Sequence, residues 1–444
     1  MHTILLFGAG KSATVLIDYL LAQAGPEDWQ VLVCDANLEL ARAKVGRADR
    51  GKAISFDIQD SPARQAAIRE ASLVISLLPP ALHILVARDC VQAGRNLLTA
   101  SYLDEAMRRL DADVRANNLL FLAEMGLDPG IDHMSAMQLI DGIRRQGGTI
   151  TSFRSHCGGL VAPESDDNPW HYKISWNPRN VVLAGKAGAH FREDGREVRL
   201  SYEELFTPGR LLDVPGLGTL AWYPNRDSLS YAPLYGLENT HTFLRTTLRH
   251  PEFMQGWQFL VGCGLTRETP ALELRGQSLA SGFRRCLEDA GQAGRVDAIL
   301  EKAAAGRGTD DLLARQLQWL GFTDVRTTLP MDRGSAADLL QFALESKLAL
   351  KPTDRDLVVM AHEIGYQVEG NDRAVQSHLV VKGQDSLHTA MARTVGLPLG
   401  IAAKLVLQGR ISLRGLQIPT HREIYEPVLQ ELSRLGVAFH ESKK

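Results

Sequence analysis

Short apolar runs recur at regular intervals through the first 125 residues. Residues 3–7 (TILLF), 30–34 (QVLVC), 53–56, 73–78 (LVISLL), 96–99 and 119–123 (LLFLA) each read as a strand. The intervening stretches read as helices. Residues 13–24 place Val15, Leu16, Tyr19 and Leu20 at helical spacing, 38–45 and 61–71 follow, and 82–93 end at Gly94. Short apolar strands alternating with helices of about a dozen residues predict βαβ units and a parallel sheet covered by helices on both faces.

The texture changes after Gly126. Residues 126–170 are dense in Gly, Pro, Asp and Asn, with strands expected at 150–156 and 181–183. Strands and turns mix from about 200 to 265. Residues 267–350 read as a helical portion, with strand-like character confined to 323–328. Residues 356–361 and 378–381 look like an antiparallel pair. Apolar periodicity then predicts helices at 385–395, 401–408 and 424–435.

Composition bounds the function. The chain has 444 residues, 45% hydrophobic, with 49 Lys+Arg against 52 Asp+Glu. That length suggests two or three domains. A formal charge of −3 supplies no bulk field for nucleic acid or an anionic membrane, and neither is expected as a partner. No long apolar run and no basic leader are visible, so neither a membrane span nor a secretory signal is expected. Five scattered cysteines without a CxxC pair argue for reduced thiols, a cytoplasmic setting and no metal site.

Gly8, Ala9, Gly10, Lys11, Ser12 and Ala13 fit G-x-G-x-x-G/A between the first strand and the first helix. Such a loop turns tightly, lets the backbone approach a pyrophosphate and aims a helix N-terminus at it. Asp35 ends the second strand about twenty residues on, where a carboxylate binds the adenosine ribose and repels a 2′-phosphate. The expected cofactor is therefore NAD, with NADP a second option that Arg42 and Lys44 could favour. Asp57, after the third strand, is a candidate for the adenine edge.

Several segments are more specific than composition. They read TASY (99–102), EMGLDPGIDHM (124–134), HCGGLVAPESDDNPWHYKISWNP (156–178), YPNRDS (223–228) and TTLRH (246–250). With SLLPPALH (76–83), HTAMARTVGLPLGIAAKLVLQGRI (388–411) and EIYEPVL (423–429), they make nearly the whole chain resemble the saccharopine reductase family, the glutamate-forming saccharopine dehydrogenases. Residues 267–350 match least.

The resemblance implies a Rossmann dinucleotide-binding domain at 1–125, completed by C-terminal helices at about 388–444. It implies a mixed α/β substrate domain at 126–387 carrying the helical portion. It also implies NAD(P)-dependent interconversion of saccharopine with glutamate and α-aminoadipate δ-semialdehyde. Fungal biosynthetic members tend to carry a basic residue where Asp35 stands, so the oxidative direction with NAD is expected here. By the same resemblance Leu78, Ala100, Leu127, Asp128 and Ser175 join the cofactor site. Ser101, Tyr102, Asp128, Arg226, Thr247 and Arg249 join the substrate site.

Saccharopine is a secondary amine with three carboxylates, and arginine forks suit carboxylates. Asp128, in the LDPG turn, is placed to stabilise the cationic amine or iminium. Asp132 and His133 either join it or cap the next helix. Tyr102, Cys157, Lys173 and His133 are all able to move the amine proton, and the sequence leaves that choice open. A related enzyme acting on a carboxylated polyamine, and a non-catalytic NAD-binding protein, are the alternatives. A homodimer is a possible assembly.

Overall fold

The computed structural model describes residues 1–305 and 311–443, so positions 306–310 of the expected helical portion, and Lys444, lie outside the described residues. These residues form two compact units, 1–150 with 360–444 and 151–359.

The first unit is built on a seven-stranded sheet. Its first six strands are β1 (His2–Phe7), β2 (Trp29–Cys34), β3 (Gly51–Ile54), β4 (Leu73–Ser76), β5 (Asn96–Thr99) and β6 (Leu120–Leu122), in spatial order 3-2-1-4-5-6. All pairings are parallel, and Gly415–Gln417 adds a seventh strand beside β6. Ile4, Leu5 and Leu6 are fully buried, as a strand covered on both faces requires. This is the doubly wound arrangement that the alternation of runs predicts.

Toward the C-terminus one helix, Ala390–Leu407, replaces the two expected at 385–395 and 401–408. Asp385 accepts N–H bonds from Leu387 and His388, a turn that excludes helix there. Thr389 then caps the helix through Ala392 N–H at 2.9 Å. The helix runs through Gly396 and Pro398 because packing outweighs propensity. A Cβ on Gly396 would lie 2.8 Å from Leu16 N, and one on Gly400 2.5 Å from Tyr19 Cδ1, so the two glycines seat it against Thr14–Ala24. By length and composition this helix could cross a membrane, yet 72% of it is buried inside the protein.

The helix Ile131–Arg145 packs on Arg422–Arg434, where Tyr425 donates to Asp141 at 2.6 Å. His440–Lys443 pairs antiparallel with Asn371–Lys382. The expected division at 125/126 and 387/388 therefore differs from the observed units. These tertiary pairings tie 126–150 and 360–387 to the first unit.

The second unit carries a mixed sheet. Its strands are β7 (Thr149–Val161), β8 (Ala189–Glu193), β9 (Arg196–Leu200), β10 (Leu211–Val214), β11 (Gly218–Pro224), β12 (Arg226–Asp227) and β13 (Thr242–Arg249). The order is 10-11-13-7, with β8 pairing β13, β9 and β12. An aromatic core of Trp170, Tyr172, Phe253 and Trp257 backs it. The expected helical portion contains Leu279–Asp289, Ala293–Ala304, Leu312–Leu320 and Ala336–Lys347.

Two expected strands are not strands. Residues 181–183 fall largely in the helix Pro178–Val182, because Asn177 caps it and Pro178 starts it. Residues 323–328 form a turn, because Asp324 accepts from the N–H groups of Arg326 and Thr327.

Candidate active site

The glycine loop crosses the carboxyl edge of the first sheet. Gly8 has φ +101°, and a Cβ there would stand 3.0 Å from Leu77 O, so both the turn and the close approach to the end of β4 require glycine. Gly10 differs. Its φ of −65° suits any residue, and a Cβ there would meet nothing within 4 Å. Nothing in the fold demands glycine at this point, so the open space above the loop fits the pyrophosphate that the motif is built to receive. Lys11 is exposed and Ser12 half-buried on the same turn.

Asp35 is half-buried and accepts Ala9 N–H and Asn37 N–H, each at 2.8 Å, one through each oxygen. It ties the end of β2 to the glycine loop. An ionised carboxylate offers about four lone-pair sites, so it retains capacity for ribose hydroxyls. The nearby cations are turned elsewhere. Arg42 pairs with Glu39 at 2.7 Å, and Lys44 bonds Thr14 Oγ1. Asp57 is exposed and accepts Gln59 N–H in a turn. Leu78 follows β4 and packs on the core around Phe7.

Past β5 the chain presents Ala100, Ser101 and Tyr102. Tyr102 donates to Asp128 Oδ1 at 2.8 Å, bringing two of the expected residues into contact. The turn holding Asp128 is tightly closed. Gly126 N–H donates to Pro129 O at 2.9 Å, and a Cβ on Gly130 would lie 2.1 Å from Gly126 O. Leu127 is buried beneath it. Asp132, in the first turn of the following helix, accepts Gly130 N–H at 2.6 Å through Oδ1 and so braces the LDPG turn; among the described residues no side chain caps that helix. His133 is fully buried, with Nε2 2.8 Å from Glu124 Oε2. Both thus support the turn from within.

His83, which the sequence reading does not single out, lies behind Ser101. Its Nε2 is 2.8 Å from Ser101 Oγ and its Nδ1 2.8 Å from Ser76 Oγ. Its presence in SLLPPALH was the one available signal.

In the second unit, strand register gathers the remaining candidates. Tyr223, Thr247 and Cys157 occupy one row across β11, β13 and β7. Arg249 and Ala221 form the next row on the same face. Cys157 lies within β7. Gly158 beside it permits close approach, since a Cβ there would lie 2.6 Å from Leu248 O.

Arg249 is 4% exposed and lies 5.1 Å from the Tyr172 ring centroid and 5.5 Å from that of Phe253. Its Nη1 donates to Leu248 O at 2.7 Å, whereas its buried Nε has no acceptor and no carboxylate pairs with it among the described residues. Arg226 is exposed, with φ +52°, a backbone conformation that a non-glycine residue holds only at a cost. Lys173 is buried between Asp354 at 2.6 Å and Asp167 at 2.9 Å. Its ammonium is thereby committed to a structural ion-pair network. Ser175, two residues on, is buried.

A glycine loop with space for a pyrophosphate, at the carboxyl edge of a doubly wound parallel sheet, defines a dinucleotide-binding protein. Residues 4–122 match the family model described as the saccharopine dehydrogenase NADP binding domain, and 126–437 match the saccharopine dehydrogenase C-terminal domain. The chain belongs to the saccharopine dehydrogenase family.

It is 34% identical over 439 residues to the saccharopine dehydrogenase [NADP(+), L-glutamate-forming] of Saccharomyces cerevisiae, covering 97% of this chain and 96% of the relative. It is 33% identical to the mitochondrial alpha-aminoadipic semialdehyde synthase of Bos taurus, covering 98% of this chain and 47% of that protein. The structure of the apo L-Glu-forming enzyme from Saccharomyces cerevisiae superposes with TM-score 0.87 at 32% identity over the whole of both chains. A homospermidine synthase from Legionella pneumophila, at TM-score 0.57 and 9% identity, shares the fold alone.

Proposed function

We propose that this chain is an L-glutamate-forming saccharopine dehydrogenase, with NAD preferred over NADP. The observation that carries the substrate reading is Arg249. A buried guanidinium without a carboxylate is costly, and an anionic ligand relieves that cost. Saccharopine, with three carboxylates, provides such a ligand. The Tyr223–Thr247–Cys157 row lies beside it on the same sheet face.

When bound, the nicotinamide supplies the hydride acceptor. Oxidation removes a hydride from the carbon that becomes the aldehyde, together with the amine proton. Water adds to the resulting carbon–nitrogen double bond, and cleavage releases glutamate and α-aminoadipate δ-semialdehyde. We assign Asp128 to stabilising the cationic nitrogen, with the Tyr102 hydroxyl holding it in place by donating to its Oδ1. Ser101, Thr247, Arg226 and Arg249 are assigned to the carboxylates.

Tyr102 and Cys157 are retained as proton carriers. Lys173 and His133 are set aside, since each is buried and bound to carboxylate. Gly8, Gly10, Lys11, Ser12, Asp35, Asp57, Leu78, Ala100, Leu127 and Ser175 are assigned to the cofactor. Asp35, with Arg42 and Lys44 engaged elsewhere, supports NAD. The test is saccharopine-dependent formation of reduced cofactor, measured with NAD and NADP in parallel. Turnover with a higher kcat/KM for NAD is expected; binding of NAD without turnover of saccharopine overturns the reading.

A further inference from the structure

His83 opens the helix His83–Ala93, directly after the turn Pro80–Leu82. This start places its ring at the carboxyl ends of β4 and β5, 4% exposed. Ser76 Oγ lies 2.8 Å from Nδ1, Ser101 Oγ 2.8 Å from Nε2, and Thr99 Oγ1 3.4 Å from Nε2. Burial pushes the imidazole down to about 4, against an upward pull from Asp104, so the ring is neutral near pH 7 and carries one proton.

Which nitrogen holds that proton follows from the hydroxyls. Ser76 is fully buried, and His83 Nδ1 is the one side-chain partner of its hydroxyl among the described residues. If Nδ1 carried the proton, the Ser76 hydroxyl proton would be buried with no acceptor. Ser76 therefore donates to Nδ1, and the ring proton resides on Nε2. Nε2–H donates to Ser101 Oγ, so the proton of Ser101 itself points away from His83. Ser101 is half-buried, at the sheet edge where a doubly wound fold receives its ligands.

We propose that His83 is a positioning residue whose Nε2–H fixes Ser101 as a hydrogen-bond donor to a substrate carboxylate. This rests on the reading above, in which the substrate is saccharopine.

The tautomer is tested without turnover, by nitrogen NMR of the histidine-labelled full chain. A resonance pattern for His83 with the proton on Nε2 is expected; a proton on Nδ1 overturns the proposal. The kinetic arm compares His83→Leu, His83→Gln, Ser101→Ala and the Ser101→Ala/His83→Leu double variant. His83→Leu should raise the KM for saccharopine about tenfold with kcat little changed and the KM for cofactor unchanged. His83→Gln, whose amide can accept from Ser76 and donate to Ser101, should recover most of that loss. The double variant should be no worse than Ser101→Ala alone, since both changes remove one interaction.

A double variant that multiplies the single losses, a Ser101→Ala variant with the wild-type KM, or equal losses toward cofactor and saccharopine overturns the proposal. If His83→Leu does not fold, the tautomer and the His83→Gln and Ser101→Ala kinetics still decide it. Wild-type enzyme that turns over no saccharopine is a separate result. It is the failure of the functional reading and removes the carboxylate part of this proposal with it.

Discussion

Arg249 carries opposing demands. Its guanidinium lies among Tyr172 and Phe253 with an unsatisfied Nε, a placement that costs folding free energy unless an anion arrives. Arg249→Met should therefore leave the melting temperature unchanged or higher. It should lower kcat/KM for saccharopine by about 10–100-fold, the worth of a charged hydrogen bond of about 1.5–3 kcal/mol. Loss of stability with intact saccharopine kinetics would make Arg249 a strut and not a ligand. At Asp35 the choice of replacement matters, because Ala9 and Asn37 both donate to it. Asp35→Asn removes the charge and keeps one acceptor, enough for Ala9 N–H, while its amide NH2 faces Asn37 N–H and that bond is lost. The ratio of kcat/KM for NADP over NAD should rise by roughly tenfold, about 1.4 kcal/mol. An unchanged ratio would remove the argument for NAD. The residues of the glycine loop and the LDPG turn were legible because their chemistry is local. His83 was not, since its partners Ser76 and Ser101 are 7 and 18 residues away and meet it only through the sheet.

At the scale of elements, the seam between Thr14–Ala24 and Ala390–Leu407 sets two effects against each other. Gly396→Ala gains about 1 kcal/mol of helix propensity. Its methyl, however, would lie 2.8 Å from a backbone nitrogen, and overpacking of this kind costs about 1–3 kcal/mol. A lower denaturation midpoint is expected, by chemical unfolding; a higher one would mean that the seam relaxes. Asp167 gives an element-level prediction with a sign. Burial acts to raise its pKa, but ion pairs with Lys351 and Lys173 prevail and hold it down to about 2. Its stabilising effect is thus present above the unfolded value of about 3.9 and lost as pH falls toward 2. Asp167→Asn should lower the melting temperature at pH 7 and flatten its dependence on pH below 4. Strands apolar on both faces were readable as runs. The segment 181–183 misled because two valines look like strand, whereas Asn177 and Pro178 open a helix. The helix Pro251–Gly262 escaped although Glu252, Gln255 and Gln258 recur at helical spacing opposite its buried face.

For the whole molecule, the sequence pattern conveyed two kinds of architecture, a wound parallel sheet and a mixed sheet with helices. The limits of each unit were less legible, because Tyr425–Asp141 and the pairing of His440–Lys443 are tertiary facts. NAD should stabilise the protein against heat, by about 2.7 kcal/mol at a hundredfold excess over its dissociation constant. Thermal shifts on the wild type and on Arg249→Met should agree, since the nucleotide loop belongs to the first unit. A chain truncated after Lys382 should give no such shift and should be cleaved rapidly by protease, because it leaves the Leu16 and Tyr19 face uncovered.

That seam also imposes an order on synthesis. The helix Thr14–Ala24 leaves the ribosome early, whereas its partner begins at Ala390. At about 5–20 residues per second the interval is on the order of 20–70 s. Throughout it the nascent nucleotide-binding sheet carries an apolar flank with no native cover. Holding chaperones should therefore engage this chain during translation, and slowing the ribosome late in the message should lower the yield of active enzyme more than slowing it early.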